Sequence, residues 1–206
     1  MRKFHVDLAT FSSSKMFGPQ GCALLFKRRG VQIEPIIHGG DGVSLWLGTK
    51  NMSVIMGFTE ALKQLQENRK SMIEKVNISK TFFIESLKRV HIDFPSLFIH
   101  SKDNYEKFSP HIISVGYLYT SGERMVILID SYGVEVSSKS ACQNNNDGVS
   151  HVIKAMFQND TTKKLNNYGV IRFSIGTNTS RSDIEKGIEA LRNTLTLIEK
   201  EREMLR

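Results

Sequence analysis

The chain has 206 residues, 40% of them hydrophobic, enough to bury a sizeable core and compatible with one large domain or one and a part. Its formal charge of +7 is spread out: residues 1–50, 51–100, 101–150 and 151–206 carry net +4, +2, −2 and +3. With no basic tail or stripe, this balance speaks for a solvated surface and against nucleic-acid binding.

The first residues, Met1-Arg2-Lys3-Phe4-His5-Val6-Asp7, are not followed by an apolar run of signal-peptide length. The longest aliphatic run, Met125-Val126-Ile127-Leu128-Ile129, is too short to span a bilayer. Two cysteines far apart, Cys22 and Cys142, argue against a disulfide framework and for a reducing compartment, and no metal-ligand spacing is present. The expectation is a cytoplasmic protein with no membrane segment.

The first informative stretch is Ser12-Ser13-Ser14-Lys15-Met16-Phe17-Gly18-Pro19-Gln20-Gly21. It sets one lysine in a polar, turn-forming context ahead of the apolar run Cys22-Ala23-Leu24-Leu25-Phe26, which reads as a buried strand with Cys22 as a small core residue. An amine that attacks a carbonyl must be positioned and partly desolvated, and backbone leading into a sheet can do that. The serines supply hydroxyls of the kind a phosphate group accepts bonds from. Taken alone, the same decapeptide also reads as a solvated lysine in a serine-rich loop.

After the charged turn Lys27-Arg28-Arg29-Gly30, Pro35 and the pair Gly39-Gly40 mark residues 33–40 as an extended segment entering a loop. Asn51 or Ser53 can cap the helix that follows. Apolar residues at 55, 58, 62, 65, 72, 73 and 76 hold a helical period over more than 20 residues, and Phe83, Leu87 and Val90 continue it. A helix this long commonly carries a chain between lobes, so the domains are expected to be 1–52, a connecting helix 53–79, and 80–206. Beyond Pro95 the text turns to short strands: 97–99, 112–115 and 134–137, with 123–132 ambiguous and read as helix. Residues 171–176 read as a further strand. Ser182-Asp183-Ile184-Glu185 reads as a capping box opening an amphipathic terminal helix through Ile184, Ile188, Leu191, Leu195 and Ile198 that lies on a sheet.

A second stretch with chemistry is Ser137-Ser138-Lys139-Ser140-Ala141-Cys142, followed by Gln143-Asn144-Asn145-Asn146-Asp147-Gly148. A thiol that opens a polar loop beside a cation is suited to ionise and react. It also reads, by itself, as an incidental loop cysteine.

In order, Val6 to Gly21, His38-Gly39-Gly40, Gly48-Thr49, Ser137 to Cys142, and Ile171-Arg172-Phe173-Ser174-Ile175-Gly176 form a set over essentially the whole chain. This set resembles the cysteine desulfurases of the class V aminotransferase group, in particular their long-loop branch. The resemblance implies an α/β fold: the C-terminal part of a pyridoxal-phosphate fold type I large domain plus the small C-terminal α/β domain. It implies that Lys15 holds pyridoxal 5'-phosphate as a Schiff base and moves protons at the substrate's α-carbon. Ser12 and Ser14 fall at cofactor-phosphate positions, and Thr49 would reach the phosphate of a neighbouring subunit. Arg172 would grip the carboxylate of L-cysteine, a task for a planar bidentate donor. Cys142 would take the sulfur as a persulfide, leaving alanine, and pass it to an iron–sulfur scaffold or another acceptor protein.

The chain departs from the family pattern at several points. Ser14 stands where the family has a histidine, Trp46-Leu47 where it has Arg-Ser, and Lys139 where it has glycine. The match begins shortly before the lysine motif, so the expectation is a C-terminal half, without the upstream histidine, aspartate and first phosphate loop. Two readings follow: a desulfurase polypeptide working as a homodimer or with a separate upstream-half chain, and a non-catalytic remnant or partner-binding subunit.

Overall fold

The structure is a computed structural model and describes residues 4–38, 45, 48–102, 108–138, 152, 155 and 168–205. It divides into two compact units, Met1–Lys70 and Ser71–Arg206. The division falls inside one continuous helix, α1, Met52–Asp93.

In the first unit, strand β1 (Leu8–Ser12) pairs antiparallel with β2 (Ala23–Lys27), Leu8 opposite Lys27 and Ser12 opposite Ala23. The ribbon is closed at its open end by an Arg28–Asp7 ion pair and by the Arg28 amide donating to the Asp7 carbonyl at 2.9 Å. At the other end the chain leaves β1 through a single 3-10 turn, Ser13–Met16. Asn51 caps α1: its Oδ1 accepts from the Val54 amide at 3.2 Å, which satisfies one of the unpaired donors of the first turn.

Two sequence expectations fail here. Residues 22–26 were expected to form a buried strand, but the strand is Ala23–Lys27 and its Leu24 and Leu25 are exposed, while Cys22 is only half-buried and outside it. The cause is that β2 has a single paired neighbour in a two-stranded ribbon, and among the described residues 4–70 only Ser13 and Phe58 are buried. Apolar composition marks a strand but does not supply the layer that buries it.

The second unit is a three-stranded antiparallel sheet in the order β3 (Leu97–Ile99), β4 (Ile112–Leu118), β5 (Tyr168–Ser174), with α2 (Gly122–Asp130) and α3 (Arg181–Met204). Alternation sends Ile113, Val115, Tyr117, Ile171 and Phe173 to one face, where they join Val76, Phe83, Leu87 and Val90 of α1 and Ile184, Leu191, Leu195 and Ile198 of α3 in one core. Phe83 and Phe173 meet with ring centroids 5.0 Å apart, and Gly187 of α3 lies over both rings. At that size and burial, aromatic contacts of this kind dominate core energetics.

The expected strands 97–99 and 112–115 are present, the second extended to Leu118, and the segment read as helix over 123–132 is helical over Gly122–Asp130, ending in a turn at 131–133. The expected strand 134–137 is not formed: only Ser137 pairs, through a single bridge to Arg172. Its β-branched residues instead sit at the margin of the core, where Val134 and Val136 pack against it after Gly133 turns the chain with φ 71°. The last strand starts three residues earlier than read, at Tyr168. The cap is also displaced, because α3 begins at Arg181. The capping box is Ser180 with Asp183, whose amide donates to Ser180 Oγ at 3.1 Å and whose carboxylate accepts from the Ser180 amide at 2.8 Å. Among the described residues no helix is long and apolar enough to cross a membrane.

Candidate active site

The lysine stretch folds as a tight reversal between two paired strands. Ser13 donates its amide to the Cys22 carbonyl at 3.0 Å and accepts the Gly18 amide on its own carbonyl at 3.0 Å, so both ends of the turn are tied to one residue. Phe17 takes the left-handed conformation, φ 61° and ψ 14°, to end the 3-10 turn. Lys15 lies inside that turn, exposed, directly after Ser14, the second of the two serines that bracket Ser13. Ser12 and Ser14 bring their hydroxyls to 3.0 Å of each other, leaving each oxygen further capacity to bond.

Ser13 itself points inward. It is fully buried, and its Oγ finds no hydrogen-bond partner. A Cβ on Gly18 would lie 2.2 Å from that oxygen and 3.4 Å from the ring of Phe58, so only glycine allows the chain to pass this close. The sequence reading singled out Ser12, Ser14 and Lys15 and missed Ser13, Gly18 and the strand β1. The alternation Leu8-Ala9-Thr10-Phe11-Ser12 was a usable signal for the strand. Burial of one serine among three carries no such signal.

Asp7 is remote from this chemistry along the ribbon: it closes the end opposite to Lys15 by its ion pair with Arg28. Thr49 is exposed, one residue past Gly48 (φ 89°) and two before the helix cap Asn51. Trp46, Leu47, Lys139 and Cys142 lie outside the described residues.

In the second unit, Arg172 sits on β5 opposite Ser114 of β4, and Ser137 bridges it from the other side with paired backbone bonds of 3.2 and 2.7 Å. His100 donates its amide to the Ser114 carbonyl at 2.9 Å. His100, Ser114, Arg172 and Ser137 therefore form one row across the sheet, on the face opposite to the core. The guanidinium Nε of Arg172 is buried and lacks an acceptor. A buried donor of this kind is costly unless something accepts from it, which makes the arginine suited to receive a carboxylate. On the same face of the sheet, burial of His100 pulls its imidazole down to a pKa of about 4, and burial holds the Tyr168 hydroxyl well above the usual phenol range.

The structure thus brings Ser12, Ser14 and Lys15 together in the first unit and places Arg172 in the second.

Comparison with known proteins bears on the whole chain. The family model described as "Aminotransferase class-V" matches residues 1–186. "Cysteine desulfurase IscS" of Dictyoglomus turgidum is 30% identical over 187 residues, covering 90% of this chain and 45% of that protein. Among solved structures, the NifS-like protein of Rickettsia africae is 26% identical with a TM-score of 0.74, covering 95% of this chain and 49% of that one. Another structure, titled as a NifS-like protein, has 24% identity and a TM-score of 0.75, with 96% and 48% covered, and shows the shared fold. The chain spans about half the length of the relatives it matches. On these matches, and on the mixed helix and strand architecture they share, the chain belongs to the aminotransferase class V family.

Proposed function

We propose that this chain is the C-terminal part of a pyridoxal-phosphate-dependent cysteine desulfurase, with residues 1–52 ending the large cofactor domain, 53–79 connecting, and 80–206 forming the small domain. The single observation that carries the reading is the Lys15 turn. An exposed amine stands on a turn held by backbone bonds at Ser13, directly after Ser14, whose hydroxyl lies 3.0 Å from that of Ser12. That donor set, one amine for a carbonyl and two hydroxyls for a phosphate, fits pyridoxal phosphate.

In this reading Ser12 and Ser14 hold the cofactor phosphate, with Thr49 serving the neighbouring subunit of a homodimer. Lys15 binds the cofactor through its amine and carries protons at the α-carbon of L-cysteine. The bound cofactor supplies an electron sink for that carbon. Arg172 holds the substrate carboxylate, and its buried Nε without an acceptor supports that role. The Cys142 thiolate attacks the substrate sulfur. The carbon–sulfur bond breaks, a sulfur–sulfur bond forms, and protonation at the β-carbon leaves alanine and a Cys142 persulfide. The sulfur then goes to an iron–sulfur scaffold or another thiol acceptor in the cytoplasm.

A second reading, in which the chain is a non-catalytic remnant or a partner-binding subunit of such an enzyme, is favoured by one observation. The first unit leaves Leu8 and Leu25 exposed on one face of its ribbon and Leu24 on the other, together with Met52 and Met56 of α1, apolar side chains that a partner chain would cover.

The test is borohydride reduction of the full chain in the presence of pyridoxal phosphate, with peptide mapping, alongside sulfide release from L-cysteine. An adduct concentrated on Lys15 is expected, and an adduct on other lysines overturns the assignment. Sulfide release lost in Cys142→Ser selects the first reading. A Lys15 adduct without sulfide release, both alone and with an upstream-half desulfurase chain added, selects the second.

A further inference from the structure

The Lys15 turn rests on the beginning of α1, and the residue that permits this is a glycine the turn never bonds to. A Cβ built on Gly57 would meet Pro19 Cγ at 3.0 Å and Pro19 Cδ at 3.3 Å. The next residue, Phe58, is one of the two buried residues among the described residues of the first unit, and its ring lies 3.4 Å from where a Gly18 side chain would start. Gly18 and Pro19 are the residues that follow the turn, and Gly18 is bonded back to Ser13. Gly57 and Phe58 therefore form a floor: Phe58 lies under Gly18, and the bare backbone of Gly57 lies under Pro19.

A glycine inside a helix is costly, because it loses more backbone freedom on folding than any other residue. Gly57 is five residues past the first residue of α1, well inside the helix. It is neither a cap nor a positive-φ position. The close approach of Pro19 is the reason the structure gives for tolerating it.

We infer that Gly57 is a positioning residue for Lys15: by admitting Pro19 onto the helix it fixes the turn that presents the amine. The inference rests on Lys15 having the role proposed above, and concerns how that role is set up. A Cβ at 57 would push Pro19 outward, and Gly18 and Ser13 would follow, since they share the bond from the Gly18 amide to the Ser13 carbonyl.

The sign of the expected effect separates this from an ordinary helix position. Gly57→Ala improves the helix by intrinsic propensity, so a purely helical role predicts a firmer α1 and no loss at the turn. A positioning role predicts the reverse at the turn.

The experiment is amide hydrogen exchange by NMR on the full chain, in wild type, Gly57→Ala, Gly57→Val, Pro19→Ala and the Gly57→Val/Pro19→Ala double variant. The Ser13 and Gly18 amides should exchange about tenfold faster in Gly57→Val and less so in Gly57→Ala, with β4 amides unchanged, as for a local opening. Removing the Pro19 ring should return the double variant toward Pro19→Ala alone, a non-additive cycle. Unchanged exchange at Ser13 and Gly18 in both Gly57 variants, or effects of the two positions that simply add, overturns the inference. If Gly57→Val does not fold, Gly57→Ala decides by the same readout. The fraction of pyridoxal phosphate trapped on Lys15 should fall in Gly57→Val and recover in the double variant. A wild-type chain with no Lys15 adduct refutes the proposed function instead, and the exchange data still decide the positioning of the turn.

Discussion

The hydroxyl of Tyr168 lies 2.9 Å from Nε2 of His100, and the bond crosses the central strand β4 directly over Gly116. Tyr168 opens β5 and His100 follows β3, so one side-chain contact spans the two outer strands of the sheet. The rings of Phe98 and His100 each meet the Tyr168 ring edge-on, with centroids 5.7 and 5.8 Å away.

The burial of His100 makes the second unit sensitive to acid. Burial lowers the His100 pKa from 6.5 to about 4, so the unfolded chain takes up a proton before the folded one does as pH falls. His100 therefore has no effect on stability above about pH 6.5. Between there and about pH 4 it removes stability progressively, up to about 3 kcal/mol, one pKa unit being about 1.4 kcal/mol. Urea unfolding at a series of pH values should show this loss in the wild type and less of it in His100→Gln. The same pH dependence in both would contradict the assignment.

Gly116→Ala is expected to destabilise the sheet. The added methyl would lie 2.2 Å from the Tyr168 hydroxyl and 2.8 Å from His100 Nε2, so the pair must move apart and lose its bond. Overpacking and a lost buried hydrogen bond together amount to about 2–4 kcal/mol. Denaturant unfolding measures this, and a variant as stable as the wild type would show that the two rings yield easily. Because the methyl would also meet Tyr168 Cζ at 2.3 Å, the whole ring must go to relieve it, and Gly116→Ala should cost less in a Tyr168→Ala background than in the wild type.

The start of α3 can be tested by two neighbouring serines. Ser180→Ala removes the oxygen that accepts from the Asp183 amide and should cost about 1 kcal/mol. Ser182→Ala, inside the helix, should change stability by less than about 0.5 kcal/mol, as exposed positions do. Thermal unfolding of both variants decides it, and the opposite ranking would restore the cap that the sequence alone suggests.

That pair of serines shows the limit of reading caps from text. Ser180 and Ser182 both precede an acidic residue three positions on, Asp183 and Glu185, and both satisfy the capping pattern. The choice is made by where β5 ends and the chain turns through Gly176 and Thr179, whose Oγ1 accepts the Gly176 amide at 2.9 Å. In the same way, Val134 to Ser137 has the composition of a strand, but only Ser137 reaches β5. Strand propensity reports fitness for a pleated surface, and a pleated surface needs a neighbour in register.

The periodic features were legible because they depend on local geometry. Helix α1 follows from apolar spacing sustained from residue 55 to 90, and α3 from Ile184, Leu191, Leu195 and Ile198, which all reach the core. Lys15 was legible as a lysine in a turn context, with Ser12 and Ser14 just before it.

What only the tertiary structure decided are the close approaches. No local pattern says that Ser13 turns inward while Ser12 and Ser14 stay out, that Gly57 admits Pro19, or that Tyr168 reaches His100 over Gly116. The last two bring together segments far apart in sequence at distances where one methyl group does not fit. Sequence periodicity fixes which face a residue presents, whereas steric fit between remote segments is settled only when the chain is packed.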